Sequence, residues 1–531
     1  MSFKTISRSE LAAHHSESSC WVAIDCIVYD LTKFLRAHPG GKGAILAFAG
    51  KDATTEFFEL HKKEVLLKYG PKLRIGVLEG EPLKIPSAED YDASLIDTVT
   101  PFAETTADKG WKSPFYTQSH LDFRKAVRKF IHSEITPDAE AGEESGADVQ
   151  IEVFKKLGSS GILACRIGRA AMPFVQKLNL QLPGGIAPAE FDYFHELIAH
   201  SENHRIGFPG YADGIGSGFV IGLPPVIHFG RGDLRERVVK ECLLGEKRIC
   251  LAISEAGAGS DVAALACTGE LQGDHIIING HKKWITNGSF ADYFVTAVRT
   301  GKSGPKGISL VLVERSEGLL TNKMKTSYSA AAGTAFVLYE NVRVPKENIL
   351  GNIHDGFKLI LANFNHERWM IALSCVPLMR LVLADCYKWA MQRKVFGKRL
   401  IDQPVIRFKL AQMTAGVESC QAWLDSITYQ MNMMPFSEQN AQLAGPIALL
   451  KYHVTRTLFS VCDSAAQIFG GRSITKTGMG GNVERIMRGA KIVAIYGGSE
   501  EIVADLAVRQ SVLEAEAKIA KDPRLGMVAK L

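Results

Sequence analysis

Apolar residues recur along this chain at two different periods, and the period changes with position. From His120 to Glu134, Leu121, Phe123, Val127, Phe130 and Ile131 fall at helical spacing, and further stretches of the same kind run to about Glu241. At about Arg248 the pattern turns into short apolar runs, at 276–278, 293–295, 308–313 and 335–339, separated by the turn signals Asn279-Gly280 and Asn287-Gly288. This predicts a small β domain. From Gly356 long segments rich in Leu, Ala, Met and Glu return to a three-to-four-residue spacing, with breaks near Gly397, near Pro435 and from Gly470 to Gly481. The order is helical, β, helical. Ahead of it, Glu79 to Gly110 carries Gly80, Pro82, Pro86 and Pro101 with little periodicity, which reads as a linker.

A chain of 531 residues exceeds one ordinary core, so two or more units are expected. No uninterrupted apolar run reaches the roughly 18 residues that crossing a bilayer takes, so no membrane span is expected. Net charge is only +5 and no Lys/Arg block stands out, which leaves nucleic-acid binding without support. The ten cysteines are scattered without metal-ligand spacing and read as free thiols of a reducing compartment. The N-terminus, Met-Ser-Phe-Lys-Thr-Ile, leads into a first strand without a signal or transit pattern. Ala529-Lys530-Leu531 is a conservative variant of the Ser-Lys-Leu peroxisomal address, so a peroxisomal protein is expected, with the cytoplasm as the alternative. No Gly-x-Gly-x-x-Gly follows a strand, so a Rossmann unit is not indicated.

The candidate chemistry starts with His38-Pro39-Gly40-Gly41, answered by His61. Proline and two glycines force a turn that aims His38 inward, while Ile45, Leu46, Phe57 and Leu73 can wall a porphyrin. With Trp21 to Asp25, Val28 to Leu35, and Ala49 to Thr54 around them, residues 1–80 resemble a cytochrome b5 domain of α+β fold. The resemblance implies haem b, with His38 and His61 on the iron. Two axial imidazoles leave no open iron position, so electron transfer is the expected role.

Two further segments stand out: Ala252-Ile-Ser-Glu-Ala-Gly-Ala-Gly-Ser-Asp261, whose small residues let backbone N–H groups approach a ligand, and Lys283-Trp-Ile-Thr-Asn-Gly288. Joined by Arg393 to Lys398, Gln467 to Gly471, and Val483 to Arg488 leading to Ile495-Tyr-Gly-Gly-Ser499, they resemble the acyl-CoA dehydrogenase family over roughly residues 110 to 515. The implied organisation is a haem domain (1–80), a linker (81–112), an N-terminal helical domain (113–247), a middle β domain (248–350), a C-terminal helical bundle (351–515) and a tail (516–531). By resemblance, FAD is contacted by Leu251, Ala252, Ile253, Ser254, Ser260, Trp284, Ile285 and Thr286, and by Ser499 and Glu501 of the late loop. Arg393, Phe396, Gln467, Gly470 and Gly471 would serve the FAD of a neighbouring subunit, which implies a homodimer or homotetramer.

The reaction needs a carboxylate base. Many family members carry it in an Ile-Tyr-Glu-Gly-Thr segment, but here the matching residue is Gly497. Phe364-Asn-His-Glu-Arg368 matches the helix where isovaleryl-type and long-chain-type members place the base instead, and Glu367 falls on that position. Ser260, Asn365, Arg368 and Gly497 are the implied substrate contacts, with the Gly497 N–H toward the thioester oxygen. Burial against flavin and acyl chain is expected to raise the Glu367 pKa toward working pH. After Gly471 the chain departs from the family with Arg472-Ser-Ile474 and a longer, glycine-rich 475–482 loop. The expected activity is oxidation of a fatty acyl-CoA to the trans-2-enoyl-CoA in β-oxidation, with electrons relayed through the haem domain to a redox partner protein. The alternatives are an oxidase or flavin oxygenase using O2, and a catalytically silent acyl-CoA or nucleic-acid binding relative.

Overall fold

A computed structural model describes residues 4–61, 64–80, 97–522 and 525. The head is a five-stranded sheet in the order Lys4–Ile6, Arg74–Leu78, Ile27–Asp30, Ser19–Ile24, His15–Ser16. The first pair is parallel and the others antiparallel, so the two ends of the domain meet in one sheet. Ile45, Leu66, Leu35 and Tyr29 form its core, with Phe34, Phe57, Phe58 and Leu73 packed partly buried against them.

The expected linker over 81–112 is too long at its C-terminal end. Residues 81–96 lie outside the described residues, but 97–110 are part of the packed body. Glu104 and Asp108 are buried and pair with Arg128 (2.8 Å) and Arg124 (3.1 Å), and both arginines also pair with Glu202 of the helix Tyr193–His204. Burial alone would raise Glu202, but Arg128 and Arg124 outweigh it and hold the carboxyl down to about 2. Neither carboxylate was legible as structural, because both sit among Pro, Thr and Asp residues typical of linkers.

The middle domain is an eight-stranded sheet. Its long strands His275–Ile285 and Ala335–Pro345 pair antiparallel, and the short strand Ile249–Ala252 adds parallel to Tyr293–Arg299. Asn279-Gly280, expected to be a turn, lies inside the strand His275–Ile285 and forms a bulge, with Gly280 at φ +132 and a Cβ position 2.8 Å from Cys267 Cα. Asn279 and Asn341 bond each other across the irregularity. Asn287 is a true turn residue, at φ +63, and is buried; its amide spans Gly218, Asp213 and Ala332, stitching the sheet to the N-terminal helices.

The C-terminal bundle packs Gly356–Gln392, Pro404–Met433, Ala444–Phe469, Gly481–Ile495 and Glu500–Lys521. The helix Gly356–Gln392 is long and apolar enough to cross a membrane, yet 94% of its most apolar window is buried inside the fold, as befits a core helix. All ten cysteines are free and buried. Burial raises the thiols of Cys20, Cys165, Cys242, Cys250, Cys267, Cys375, Cys420 and Cys462. The tail signal at 529–531 lies outside the described residues.

Candidate functional site

His38 and His61 face each other with ring centroids 5.9 Å apart. Two metal–imidazole bonds of about 2 Å, plus the half-width of each ring, give a span of about 6 Å, so an iron fits between them. Each Nδ1 bonds a backbone carbonyl, His38 to Gly41 (3.2 Å) and His61 to Phe57 (3.3 Å). A carbonyl only accepts, so Nδ1 carries the proton and Nε2 keeps its lone pair for the metal. Phe57 stacks on His61 at 4.6 Å. The glycines are needed here: a Cβ on Gly40 would lie 2.9 Å from His38 Cε1, and Gly41 sits at φ +78. The pocket fits haem.

The loop after the strand Ile249–Ala252 is held from behind. Fully buried Lys282 donates to Glu255 (2.7 Å) and to the Ile253 carbonyl (3.0 Å), and Glu255 also accepts from the Ala266 and Cys267 N–H groups. Lys283 N–H bonds the Ser254 carbonyl, fixing the two expected FAD segments side by side. Glu255 and Lys282 were not singled out from sequence, although a lysine inside a strand that alternates apolar residues was the available signal. On the open side, Cβ positions on Gly257 and Gly259 meet nothing within 4 Å, and Ser260 is exposed. Trp284, at φ +61, leaves half its surface uncovered. This preformed shelf with a bare aromatic plane fits a flavin. Ala252 and Ile285 correct the expectation in part, because their side chains point into the β core and only their backbone can reach a ligand.

Arg393 and Phe396 follow one helix end, and Gln467, Gly470 and Gly471 lie at another. Trp389, in the last turn of the helix Gly356–Gln392, stacks on Phe469 at 5.7 Å, which joins the helix end before Arg393 to the one before Gly470. Phe396 is 97% exposed, at φ +50. Ser499 stands at the N-cap position of the helix Glu500–Lys521 without a side-chain capping bond, and Glu501 points to solvent; the buried acid there is Glu500, which accepts from Thr455 and Arg456.

Glu367 is buried on the long helix, and its Oε2 has no hydrogen-bond partner. Burial pushes its carboxyl up to about 7 against the pull of Arg368, Lys451 and His366. Gly497 has φ +65, and a Cβ built on it would lie 3.7 Å from Glu367 Oε1. The two positions, 130 apart in sequence, therefore converge on one point in space. Ile371, one turn along the helix, fills the volume beside it, with Cδ1 only 2.3 Å from that Cβ position. Arg368 Nε donates to the Gly497 carbonyl (3.1 Å), and fully buried Lys451 donates to the Gly498 carbonyl. Burial lowers Lys451 to about 8. Lys451 went unrecognised in the sequence, where it breaks the apolar stripe of Ile447, Leu450, Val454 and Leu458. His366 donates to buried Glu196 at 2.6 Å, in space left by Gly168, where a Cβ would collide with the carboxylate.

Asn365 departs from expectation. It bonds Asn440 (3.2 Å) between helices and, two residues before Glu367, lies on another face of the long helix. His120, Asp192 and His195 sit together like metal ligands, but they are helix caps: His120 Nδ1 accepts from Thr117 N–H and Asp192 caps the helix Tyr193–His204.

Comparison with known proteins identifies both parts. The profile of the cytochrome b5-like heme/steroid binding domain matches residues 7–79. Those of the acyl-CoA dehydrogenase N-terminal, middle and C-terminal domains match 117–246, 250–342 and 354–512. Acyl-CoA dehydrogenase apdG of Emericella nidulans is 37% identical over 418 residues, 78% of this chain and 95% of that protein. Acyl-CoA dehydrogenase AFT10-1 of Alternaria alternata is 36% identical over 78% of this chain and 96% of its own. Butyryl-CoA dehydrogenase of Megasphaera elsdenii superposes with a TM-score of 0.66 at 25% identity, over 76% of this chain and all of that one. The chain belongs to the acyl-CoA dehydrogenase family, FAD-dependent oxidoreductases acting on a CH–CH bond, and carries a cytochrome b5-like haem domain fused ahead of it.

Proposed function

We propose that this protein oxidises a fatty acyl-CoA to the trans-2-enoyl-CoA, with Glu367 as base, and sends the electrons out through the haem domain. The observation that carries this reading is the convergence of positions 497 and 367: the carboxylate missing from one is supplied at the same point by the other. Bound FAD supplies a hydride acceptor that can release electrons singly, and haem supplies a one-electron site. Glu367 Oε2, unpartnered and buried, takes the α proton. Arg368 and Lys451 grip the carbonyls of Gly497 and Gly498, which fixes the turn that follows the Gly497 N–H, the proposed donor to the thioester oxygen. Ser254, Ser260, Trp284 and Thr286 line the FAD shelf, while Arg393, Phe396, Gln467, Gly470 and Gly471 serve the FAD of a second subunit in a homo-oligomer. A peroxisomal site of action rests on Ala529-Lys530-Leu531.

Anaerobic mixing with acyl-CoA in a stopped-flow spectrometer tests the path. Flavin bleaching is expected first and haem reduction after it. In His61→Ala the bleaching persists while the haem signal disappears. A wild-type haem that stays ferric through complete flavin bleaching would sink the relay.

The base also sets a pH dependence. Only the ionised carboxylate accepts a proton, so bleaching at limiting acyl-CoA is expected to quicken as pH rises, half-maximal near about 7. For folding the same shift has the opposite sense. The stability carried by neutral, buried Glu367 is complete below its ordinary value of 4.5 and is lost as pH climbs through about 7. A rate profile without that midpoint would remove Glu367 from the role.

A further inference from the structure

The 475–482 loop departs from the family pattern, and nothing in the acyl-CoA chemistry uses it. It is nevertheless firmly built. Gly480 lets the chain fold back on itself, since a Cβ there would lie 2.1 Å from the Arg472 carbonyl oxygen. Met479 is buried, and Asn482 donates to Asp385 at 2.8 Å. Arg472 lies 4.7 Å over the Trp389 ring, tying the start of the segment to the Trp389–Phe469 stack. The haem domain touches the tip of this loop: a Cβ on Gly478, at φ +80, would be 3.5 Å from the carbonyl of Leu60, the neighbour of His61.

A second contact stands beside it. Lys68 of the haem domain donates to Glu140 at 2.9 Å, on the helix Thr136–Ser145, and Glu144 adds its charge one turn on. The other acids of that helix are occupied, Asp138 by Tyr211 and Glu143 by Ser329 and Arg488. Glu140 and Glu144 are the two exposed carboxylates left to meet a basic partner. Arg488 lies on Gly481–Ile495, the helix that follows the loop, so both contacts fall on one corner of the dehydrogenase body.

We propose that the 475–482 loop and the acidic face of the helix Thr136–Ser145 form a seat on which the haem domain docks, His61 side inward, to receive electrons. This rests on the relay reading above. The loop continues directly from the Gly470–Gly471 turn given to FAD by family likeness, and the seven residue steps from Gly471 to Gly478 reach at most roughly 25 Å. Oxidising one acyl-CoA leaves two electrons to be passed singly, ferric to ferrous haem, with a one-electron acceptor protein taking each before the next arrives. Such a shuttle must let go. The Lys68–Glu140 pair is about half exposed on both sides, and a pair of that kind contributes only about 0–1 kcal/mol. A covalent tether makes so weak a contact sufficient.

The test uses the full-length holoenzyme. A zero-length carbodiimide is expected to join Lys68 to Glu140 as an amide, found by peptide mass mapping and absent from Glu140→Gln. Failure to find that link in the wild type overturns the seat. Lys68→Glu, Glu140→Lys and the exchanged double variant are then mixed anaerobically with whichever of butyryl-, octanoyl- and palmitoyl-CoA bleaches the flavin fastest. Flavin bleaching is expected at the wild-type rate throughout. The haem phase slows about three- to tenfold in each single reversal and recovers in the exchange. Single reversals that leave a normal haem phase overturn the seat, as does an exchange that fails to recover. Absence of haem reduction in the wild type refutes the relay instead, and leaves the cross-link to judge the seat.

Discussion

Glu367→Gln is expected to keep FAD bound and the fold intact while slowing flavin bleaching by acyl-CoA roughly 10²–10⁴-fold. Glutamine matches glutamate in size, so the packing around the buried side chain survives, and only the ability to accept a proton is lost. The informative step is relocation. Gly497→Glu in the Glu367→Gln background returns a carboxylate to the same point, but Ile371 stands in its way, with Cδ1 2.3 Å from the new Cβ, and φ +65 adds backbone strain. The double variant is therefore expected to stay slow, and adding Ile371→Ala to recover part of the rate. Full activity in Glu367→Gln alone would show that the base lies elsewhere.

Lys282→Met is expected to damage the protein more than any other single change at the FAD shelf. It leaves Glu255 buried as an unpaired charge, a defect of about 3–5 kcal/mol. Burial raises Glu255, but Lys282 and two backbone N–H groups keep its carboxyl below the usual range, so their arrangement depends on the lysine. The denaturant midpoint of the dehydrogenase body should fall and FAD content should fall with it, because the Ile253 carbonyl and the Ser254 segment lose their anchor. Glu255→Leu added to Lys282→Met should restore only part of the midpoint, since no orphaned charge remains but the Ala266 and Cys267 N–H groups lose their acceptor. A single variant with unchanged midpoint and full FAD would mean that the loop holds itself.

What could be read from the chain follows from how local each feature is. The helical, β, helical order and the two histidines are periodicities and short motifs, and they stand as read. Gly497 and Glu367 were paired on family likeness; only the folded chain shows the Cβ of one aimed at the carboxylate of the other, because 130 residues intervene. Asn279-Gly280 reads as a turn since that dipeptide favours positive φ, but a bulge in a long strand asks for the same conformation. Lys451 and Lys282 each interrupt an apolar pattern in the sequence, but what they hold, the Gly498 carbonyl and Glu255, shows only in the fold. Glu104 and Asp108 were hidden in a segment whose composition is that of a linker, and their meaning lies in Arg128, Arg124 and Glu202 far along the chain.

A protein that handles electrons one at a time works close to dioxygen's partial reduction, and peroxide attacks sulfur chiefly as thiolate. With all ten cysteines enclosed, and burial holding most of them in the neutral thiol form, the fold offers such oxidants almost no thiolate. Its thiol chemistry is kept silent while its iron and flavin are not, so loss of cysteines to such oxidants has to begin with unfolding rather than with the native state.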